Sequence, residues 1–168
     1  MNEPKNKKTG LKNYWPLLAM ILVAVLAACA INSGIDGDSL YWMHYFMGFL
    51  LCQFALVKLF DISGFADGFQ MYDLIAKKSR YYALIYPFIE LSLGLLFLSL
   101  AYPLATYLVT LFFLTIGVIG VIKALKKGLD IYCPCMGSIL KVPLSTVTLI
   151  EDLGMGLMAL LMLITRYL

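Results

Sequence analysis

Five long, predominantly apolar runs dominate this sequence, covering residues 14–31, 41–60, 81–101, 103–125 and 145–168. About 20 apolar residues in a helix cross the ~30 Å hydrocarbon core of a bilayer. Because that core offers no water to the backbone, spanning segments are helices or closed barrels, and these runs lack the alternation of barrel strands. The sequence therefore predicts an all-α membrane protein, with a four-helix transmembrane core bundle plus one N-terminal transmembrane helix.

The composition agrees with a lipid environment. Hydrophobic residues make up 62% of the chain and charged residues only 14%, and the mean hydropathy is +0.88. Soluble domains have about 25% charged residues, so this chain lacks the polar shell that a water-soluble domain needs. The net charge of +3 is explained by loops that flank membrane helices, and we expect no nucleic-acid binding.

The cations of the loops predict the orientation. Short loops rich in Lys and Arg stay on the cytoplasmic side of a membrane. Here they precede the first run, separate the second from the third, and separate the fourth from the fifth. They are Lys5, Lys7, Lys8, Lys12, Lys77, Lys78, Arg80, Lys123, Lys126, Lys127 and Lys141. We therefore predict that the N-terminus and the loop before the last run are cytoplasmic.

The first apolar run has two interpretations. Its Lys-rich start, apolar core and final Leu26-Ala27-Ala28-Cys29 resemble a lipoprotein signal that is cleaved before its cysteine. The simpler interpretation is a retained membrane helix with a cysteine near its outer end. In both cases the next run starts on the outer face, so the topology of the other four is the same.

The connection at residues 61–80 contains Gly64 and Gly68 among aromatic and acidic residues. Glycine favours turns, so we predict a turn followed by a short helix at the membrane surface. Three cations at its end, Lys77, Lys78 and Arg80, would then meet anionic lipid headgroups.

The connection before the last run contains Cys133-Pro134-Cys135-Met136-Gly137. A disulfide between cysteines one residue apart closes a very small ring, so it should be strained and exchange readily. Pro134 restricts the backbone and Gly137 permits a tight turn, which keeps the two sulfurs together. Nearby cations favour the reactive thiolate. Thiol redox chemistry at Cys133 and Cys135 is the interpretation that we favour.

Two alternatives stay open for the Cys-Pro-Cys segment. With Met136, the two cysteines would form a soft site for Cu(I) or Hg(II), as expected of a protein that transports or delivers such a metal. Otherwise they are inert loop cysteines.

Four ionisable residues fall inside or beside apolar runs, namely Lys58, Glu90, Glu151 and Asp152. A central charge costs about 2.5–3.5 kcal/mol on insertion scales, so such residues have partners or functions. Their depths predict an ion pair of Lys58 with Glu151 or Asp152, and a Glu90 that is protonated or hydrogen-bonded to Gln53. They are either proton donors and acceptors that tune the thiols, or a polar clasp between helices.

Three further residues have candidate roles. Cys52 and Cys29 would relay disulfides across the membrane if their helices were adjacent, although buried cysteines more often serve packing. His44, the one histidine, lies beside Trp42 and Tyr45. A histidine among such aromatics predicts an interfacial anchor rather than a metal ligand.

From residue 43 onward the sequence resembles the MauE and DoxX group of small membrane proteins. The resemblance is carried by Lys58-Leu59-Phe60-Asp61, by Pro87-Phe88-Ile89-Glu90 followed by Gly94, by the Cys-Pro-Cys-Met-Gly segment, and by Leu144-Ser145. It implies a four-helix core in a bacterial inner (cytoplasmic) membrane. It also implies a thioredoxin-like partner and a role in forming disulfides of the methylamine dehydrogenase small subunit.

Together these expectations divide the chain at residue 40. Residues 1–40 are the basic N-terminus and first helix, and residues 41–168 the MauE/DoxX-like domain. Cys133 and Cys135 are the predicted catalytic pair. Lys58, Glu90, Glu151 and Asp152 are predicted to adjust the reactivity of this pair, which would exchange disulfides with a thioredoxin-like protein or with a quinone. A cytoplasmic Cys-Pro-Cys loop would have to fold back into the bundle or relay electrons across the membrane to act on an exported enzyme.

Overall fold

The computed structural model describes residues 15–126 and 144–167, and these residues form six α-helices. In chain order they are α1 (Trp15–Gly34), α2 (Ser39–Phe60), α3 (Ile62–Phe69), α4 (Arg80–Ser99), α5 (Pro103–Lys126) and α6 (Leu144–Tyr167). The described part contains no strand. The prediction of an all-helical chain is confirmed.

Four of these helices, α1, α2, α4 and α5, are long and apolar enough to cross a membrane. The chain is thus a multi-pass membrane protein, and the predicted N-terminal spanning helix is α1. The last predicted run forms α6, a helix of 24 residues that packs along α5. The crossing of the membrane by α6 stays a prediction.

The junction between α2 and α3 has the predicted order, a turn at Asp61 and then a short helix. The helix starts here because the Asp61 side chain accepts a hydrogen bond from the Gly64 amide and caps α3. A Cβ on Gly64 would overlap the Asp61 carboxylate, so this cap favours glycine. Further turns follow α3, where the Asp73 side chain accepts from the amides of Ile75 and Ala76.

The helix α3 buries one face against the bundle, and its position at the membrane surface stays a prediction. Its Phe65, Ala66 and Phe69 are buried, and Tyr72 in the following segment is 2% exposed. These residues pack with Val121 of α5 in a second apolar core. Residues 62–79 therefore close one end of the bundle between α2, α4 and α5.

The centre of the bundle is the crossing of α2 and α4, the most extensive helix contact of the structure. Two glycines allow it. A Cβ on Gly48 would lie 2.9 Å from the Gly94 carbonyl oxygen, and a Cβ on Gly94 would lie 2.7 Å from the Cys52 sulfur. Small residues at a membrane helix contact let the two backbones approach closely. This approach brings the last turn of α2 next to the middle of α4.

Candidate functional site

A buried ion pair joins the last turn of α2 to the middle of α4. The Nζ atom of Lys58 lies 2.7 Å and 2.5 Å from the two carboxylate oxygens of Glu90. The two side chains are 5% and 8% exposed. Burying a charge is costly unless a partner compensates it, so each of these residues needs the other.

The sequence did not predict this pairing. Depth along the separate helices indicated Glu151 or Asp152 as the partner of Lys58, and that pairing stays a prediction. Glu90 was expected to be protonated or hydrogen-bonded to Gln53, but its two carboxylate oxygens accept from Lys58. The Lys58–Glu90 pair was missed because depth says nothing about how each helix is rotated or which helices are neighbours.

Aromatic rings surround the Lys58 ammonium group. Its Nζ lies 5.2 Å from the ring centre of Tyr86, 5.4 Å from that of Phe65 and 6.0 Å from that of Phe54. Cation–π contacts of this length contribute about 0.5–2 kcal/mol each, more when water is excluded. Phe65 belongs to α3, so the folding of α3 into the bundle encloses the cation.

A cavity of about 40 Å³ lies beside the ion pair. Helices α2, α4, α5 and α6 all contribute to its lining, with Phe65 and Phe69 of α3 and with Tyr72. Lys58, Glu90, Glu151 and Asp152 all line it. The structure therefore brings the four charged residues that the sequence singled out around one space.

Sequence reasoning missed Thr110 of α5. Thr110 is 1% exposed and lines the cavity. Its Oγ1 has no hydrogen-bond partner among residues 15–126 and 144–167. Gly117, about two turns further along α5, also lines the cavity. A Cβ on Gly117 would lie 3.3 Å from an Asp152 oxygen. No local signal marks either residue, because Thr and Gly are common in membrane helices.

The charged cavity lies toward one end of the bundle. At this end α2 finishes, α3 follows and α4 starts, and in the antiparallel course of the chain α5 also ends and α6 begins there. Glu151 and Asp152 lie about two turns, roughly 10 Å, from the first residue of α6. The segment with Cys133, Cys135 and Met136 lies outside the described residues, but its flanking residues Lys126 and Leu144 are at this end.

A comparison with protein families gives one match. The family model of MauE, described as methylamine utilisation protein MauE, matches residues 37–165, about three quarters of the chain. The chain belongs to the MauE family. The matched range starts just before α2 and includes every residue that lines the cavity, whereas α1 precedes it. Searches among curated proteins and among solved structures gave no match.

Two further cysteines of this MauE-family chain are free thiols. Cys29 is exposed near the C-terminal end of α1, where the indole Nε1 of Trp42 lies 3.2 Å from its sulfur. Cys52 is partly buried and contacts α4 at Gly94. Packing explains the position of Cys52, and a relay between these thiols stays a hypothesis.

His44 is not the interfacial anchor that its neighbours suggested. It is 1% exposed. Its Nδ1 donates to the carbonyl oxygen of Leu40 at 2.8 Å, and its Nε2 accepts from the hydroxyl of Tyr107 at 2.6 Å. The histidine therefore connects α2 to α5 at the end of the bundle opposite the charged cavity.

The metal alternative has no support inside the bundle. Over the described ranges, no group of three or more His, Cys, Asp or Glu residues is arranged to hold a metal ion. A soft-metal site at Cys133, Cys135 and Met136 would lie beyond these ranges and stays an alternative.

Proposed function

We propose that this MauE-family protein is a membrane thiol redox accessory protein, in which Cys133 and Cys135 exchange disulfides with a thioredoxin-like partner. Family membership supports the proposal most directly. The family is named for methylamine utilisation, and the resemblance implies that the process is the maturation of methylamine dehydrogenase. The Cys-Pro-Cys segment lies within the matched range and supplies the redox-active pair.

The proposed exchange is a two-electron reaction. A thiolate of the partner attacks the Cys133–Cys135 disulfide, forms a mixed disulfide and releases one cysteine as a thiolate, which takes up a proton. The second thiol of the partner then loses its proton and attacks the mixed disulfide. The partner leaves with a disulfide, and Cys133 and Cys135 hold two electrons and two protons as thiols. A membrane quinone would reoxidise the pair and become a quinol.

The buried charges have a defined part in this proposal. Each half of the exchange moves a proton to or from sulfur, and a thiolate is stabilised by a nearby positive charge. Lys58, Glu90, Glu151 and Asp152 line the cavity at the end of the bundle where the cysteine segment is attached. They would tune the thiols by holding protons and charge there.

Thiol trapping tests the proposal. Cells that express the full chain are quenched with acid, alkylated, and compared with cells that express Cys133→Ser or Cys135→Ser. We expect a fraction of the wild-type pair to be oxidised, and one single variant to accumulate a reducible adduct with a thioredoxin-like protein. Cys52→Ser is the matched control, and it should leave both signals unchanged because Cys52 packs against Gly94; a changed signal would support the relay instead.

The soft-metal function predicts a different result. In that case Cys133 and Cys135 stay fully reduced, no adduct forms, and Cu(I) or Hg(II) protects both thiols from alkylation. That outcome would remove the redox proposal in favour of metal transport or delivery.

A further inference from the structure

The cavity beside the Lys58–Glu90 pair has the size of a small water cluster. Its volume is about 40 Å³, and one water needs about 10–15 Å³ on this scale, so roughly three waters fit. Cavities lined only by apolar groups stay dry, whereas polar groups that need partners hold water. The nature of the lining therefore decides what the cavity contains.

Thr110 is the first sign that the cavity is wet. Its side chain is buried, it lines the cavity, and its Oγ1 finds no hydrogen-bond partner in the described part of the protein. A threonine hydroxyl in a helix commonly donates to the carbonyl four residues earlier, as Thr115 does to Leu111 at 2.6 Å. Thr110 lacks this bond, so its hydroxyl is available to a molecule in the cavity.

The carboxylates are the second sign. Glu90 reaches the cavity from the middle of α4, and Glu151 and Asp152 reach it from near the start of α6. Carboxyl groups at different depths around one small water cluster can pass a proton through it. The aromatic side chains Phe54, Phe65 and Phe113 form much of the remaining wall.

We propose that this cavity is a hydrated proton-transfer site, in which water bound to Thr110 links Glu90 to Glu151 and Asp152. After Glu90 has taken up a proton at lower pH, it gives that proton to the water cluster, which passes a proton to a carboxylate on α6. Glu90 is left as a carboxylate beside the Lys58 ammonium, and no electron moves. The use of these protons by the thiols rests on the function proposed above, but the site itself does not.

The other ionisable groups around Glu90 come from several elements. Helix α3 adds only the rings of Phe65 and Phe69, and α5 adds only Thr110 and apolar residues. The ionisable neighbours are Cys52 and Lys58 of α2, Tyr72 of the segment after α3, Tyr86 of α4, and Glu151 and Asp152 of α6.

Infrared spectroscopy in D₂O tests the site directly. The full chain carrying Cys133→Ser and Cys135→Ser is placed in lipid nanodiscs, so that the Cys-Pro-Cys pair cannot contribute. As the pH is lowered, we expect a carbonyl band of a protonated carboxylic acid that is absent from Glu90→Gln. The band should shift in D₂O before global unfolding, because the cavity water exchanges with solvent at one face.

Matched threonine variants separate a wet cavity from a dry one. Thr110→Val keeps the shape and removes the hydroxyl, and it should slow the D₂O shift of the Glu90 band by roughly tenfold, the factor for one lost hydrogen bond to water. Thr115→Val, on the exposed side of the same helix, should leave the rate unchanged.

Two results would overturn the proposal. One is a Glu90 band that exchanges only as fast as the protein unfolds. The other is an equal rate in Thr110→Val and wild type. If Glu90→Gln does not fold, the threonine pair decides the matter alone, since both variants keep every charge. If the infrared test fails but thiol trapping gives the expected result, the redox proposal is still supported. If thiol trapping fails but the infrared test gives the expected result, the proton-transfer site is still supported.

Discussion

At the scale of single residues, the buried Lys58–Glu90 pair is the feature most sensitive to the loss of one partner. Both side chains are more than nine-tenths buried, so removing Glu90 takes two charge-assisted hydrogen bonds from the Lys58 ammonium group in a low-dielectric interior. Replacing both by apolar residues is far less damaging, since neither charge must then be desolvated. The exposed pair of Arg80 and Asp67, 51% and 59% exposed, should contribute at most about 1 kcal/mol because water screens it.

We predict that Glu90→Gln lowers the free energy of unfolding by about 3–5 kcal/mol. The double variant Lys58→Met with Glu90→Leu should recover most of this loss. Unfolding in mixed detergent micelles would measure all three proteins. Asp67→Asn is the control for an exposed pair, and a Glu90→Gln cost as small as the control's would show that the pair is not desolvated.

The His44–Tyr107 bond is a second residue-scale feature, and it lies at the other end of the bundle. We expect Tyr107→Phe to cost about 1–3 kcal/mol, because it leaves the Nε2 atom of a buried His44 without a donor. Tyr102→Phe, at a side chain that is 80% exposed, is the matched control and should change stability little. Equal stability of the two variants would mean that His44 finds another partner.

At the scale of elements, α3 and the segment after it enclose the Lys58 cation. Their position depends on a close approach to α5, since a Cβ on Gly120 would lie 2.8 Å from the Tyr72 carbonyl oxygen. A backbone atom cannot yield as a flexible side chain can. A larger residue at Gly120 must therefore push the segment away from α5 and loosen the aromatic wall around Lys58.

Gly120→Ala should accordingly destabilise the protein by about 1–3 kcal/mol and make Lys58 more accessible to amine-reactive reagents. Gly154→Ala is the control, because no atom lies within 4 Å of a Cβ at that position of α6. That variant should be neutral or stabilising by up to about 1 kcal/mol, as alanine favours a helix. If Lys58 reacts at the same rate in Gly120→Ala as in wild type, the position of α3 and the following segment does not control the burial of Lys58.

At the scale of the whole molecule, the alternating course of the helices separates two ends. Cys29 lies near the end where α1 finishes, and Lys126 and Leu144 lie at the opposite end. The charged cavity belongs to the second end, and the His44–Tyr107 bond to the first. A cysteine segment between Lys126 and Leu144 is therefore attached on the side of the cavity.

Labelling of single-cysteine proteins should reveal this polarity. With all other cysteines replaced by serine, we expect a membrane-impermeant maleimide added to intact cells to label Cys29 and to spare Cys133, because the loop cations predict a cytoplasmic face for Cys133. A permeant maleimide should label both. If Cys133 is labelled from outside and Cys29 is not, the orientation is opposite to the predicted one. If both are labelled from outside, the two cysteines do not lie on opposite sides of the membrane, which contradicts the alternating course of the helices.

The sequence by itself determined the long helices of this protein. The predicted runs 41–60 and 103–125 became α2 (Ser39–Phe60) and α5 (Pro103–Lys126), because the thickness of a bilayer prescribes the length of an apolar helix. It also identified which charges matter, since a charge in an apolar run is costly wherever the helices pack.

Only the tertiary structure decided how these parts meet. A short helix was predicted within residues 61–80, but its Asp61 cap and its burial against α5 were not. The pairing of Lys58 with Glu90 depended on the rotation of α2 against α4, which the contact of Gly48 with Gly94 sets. Pairing between helices is a property of which surfaces touch, and hydropathy along one chain contains no information about rotation or neighbours.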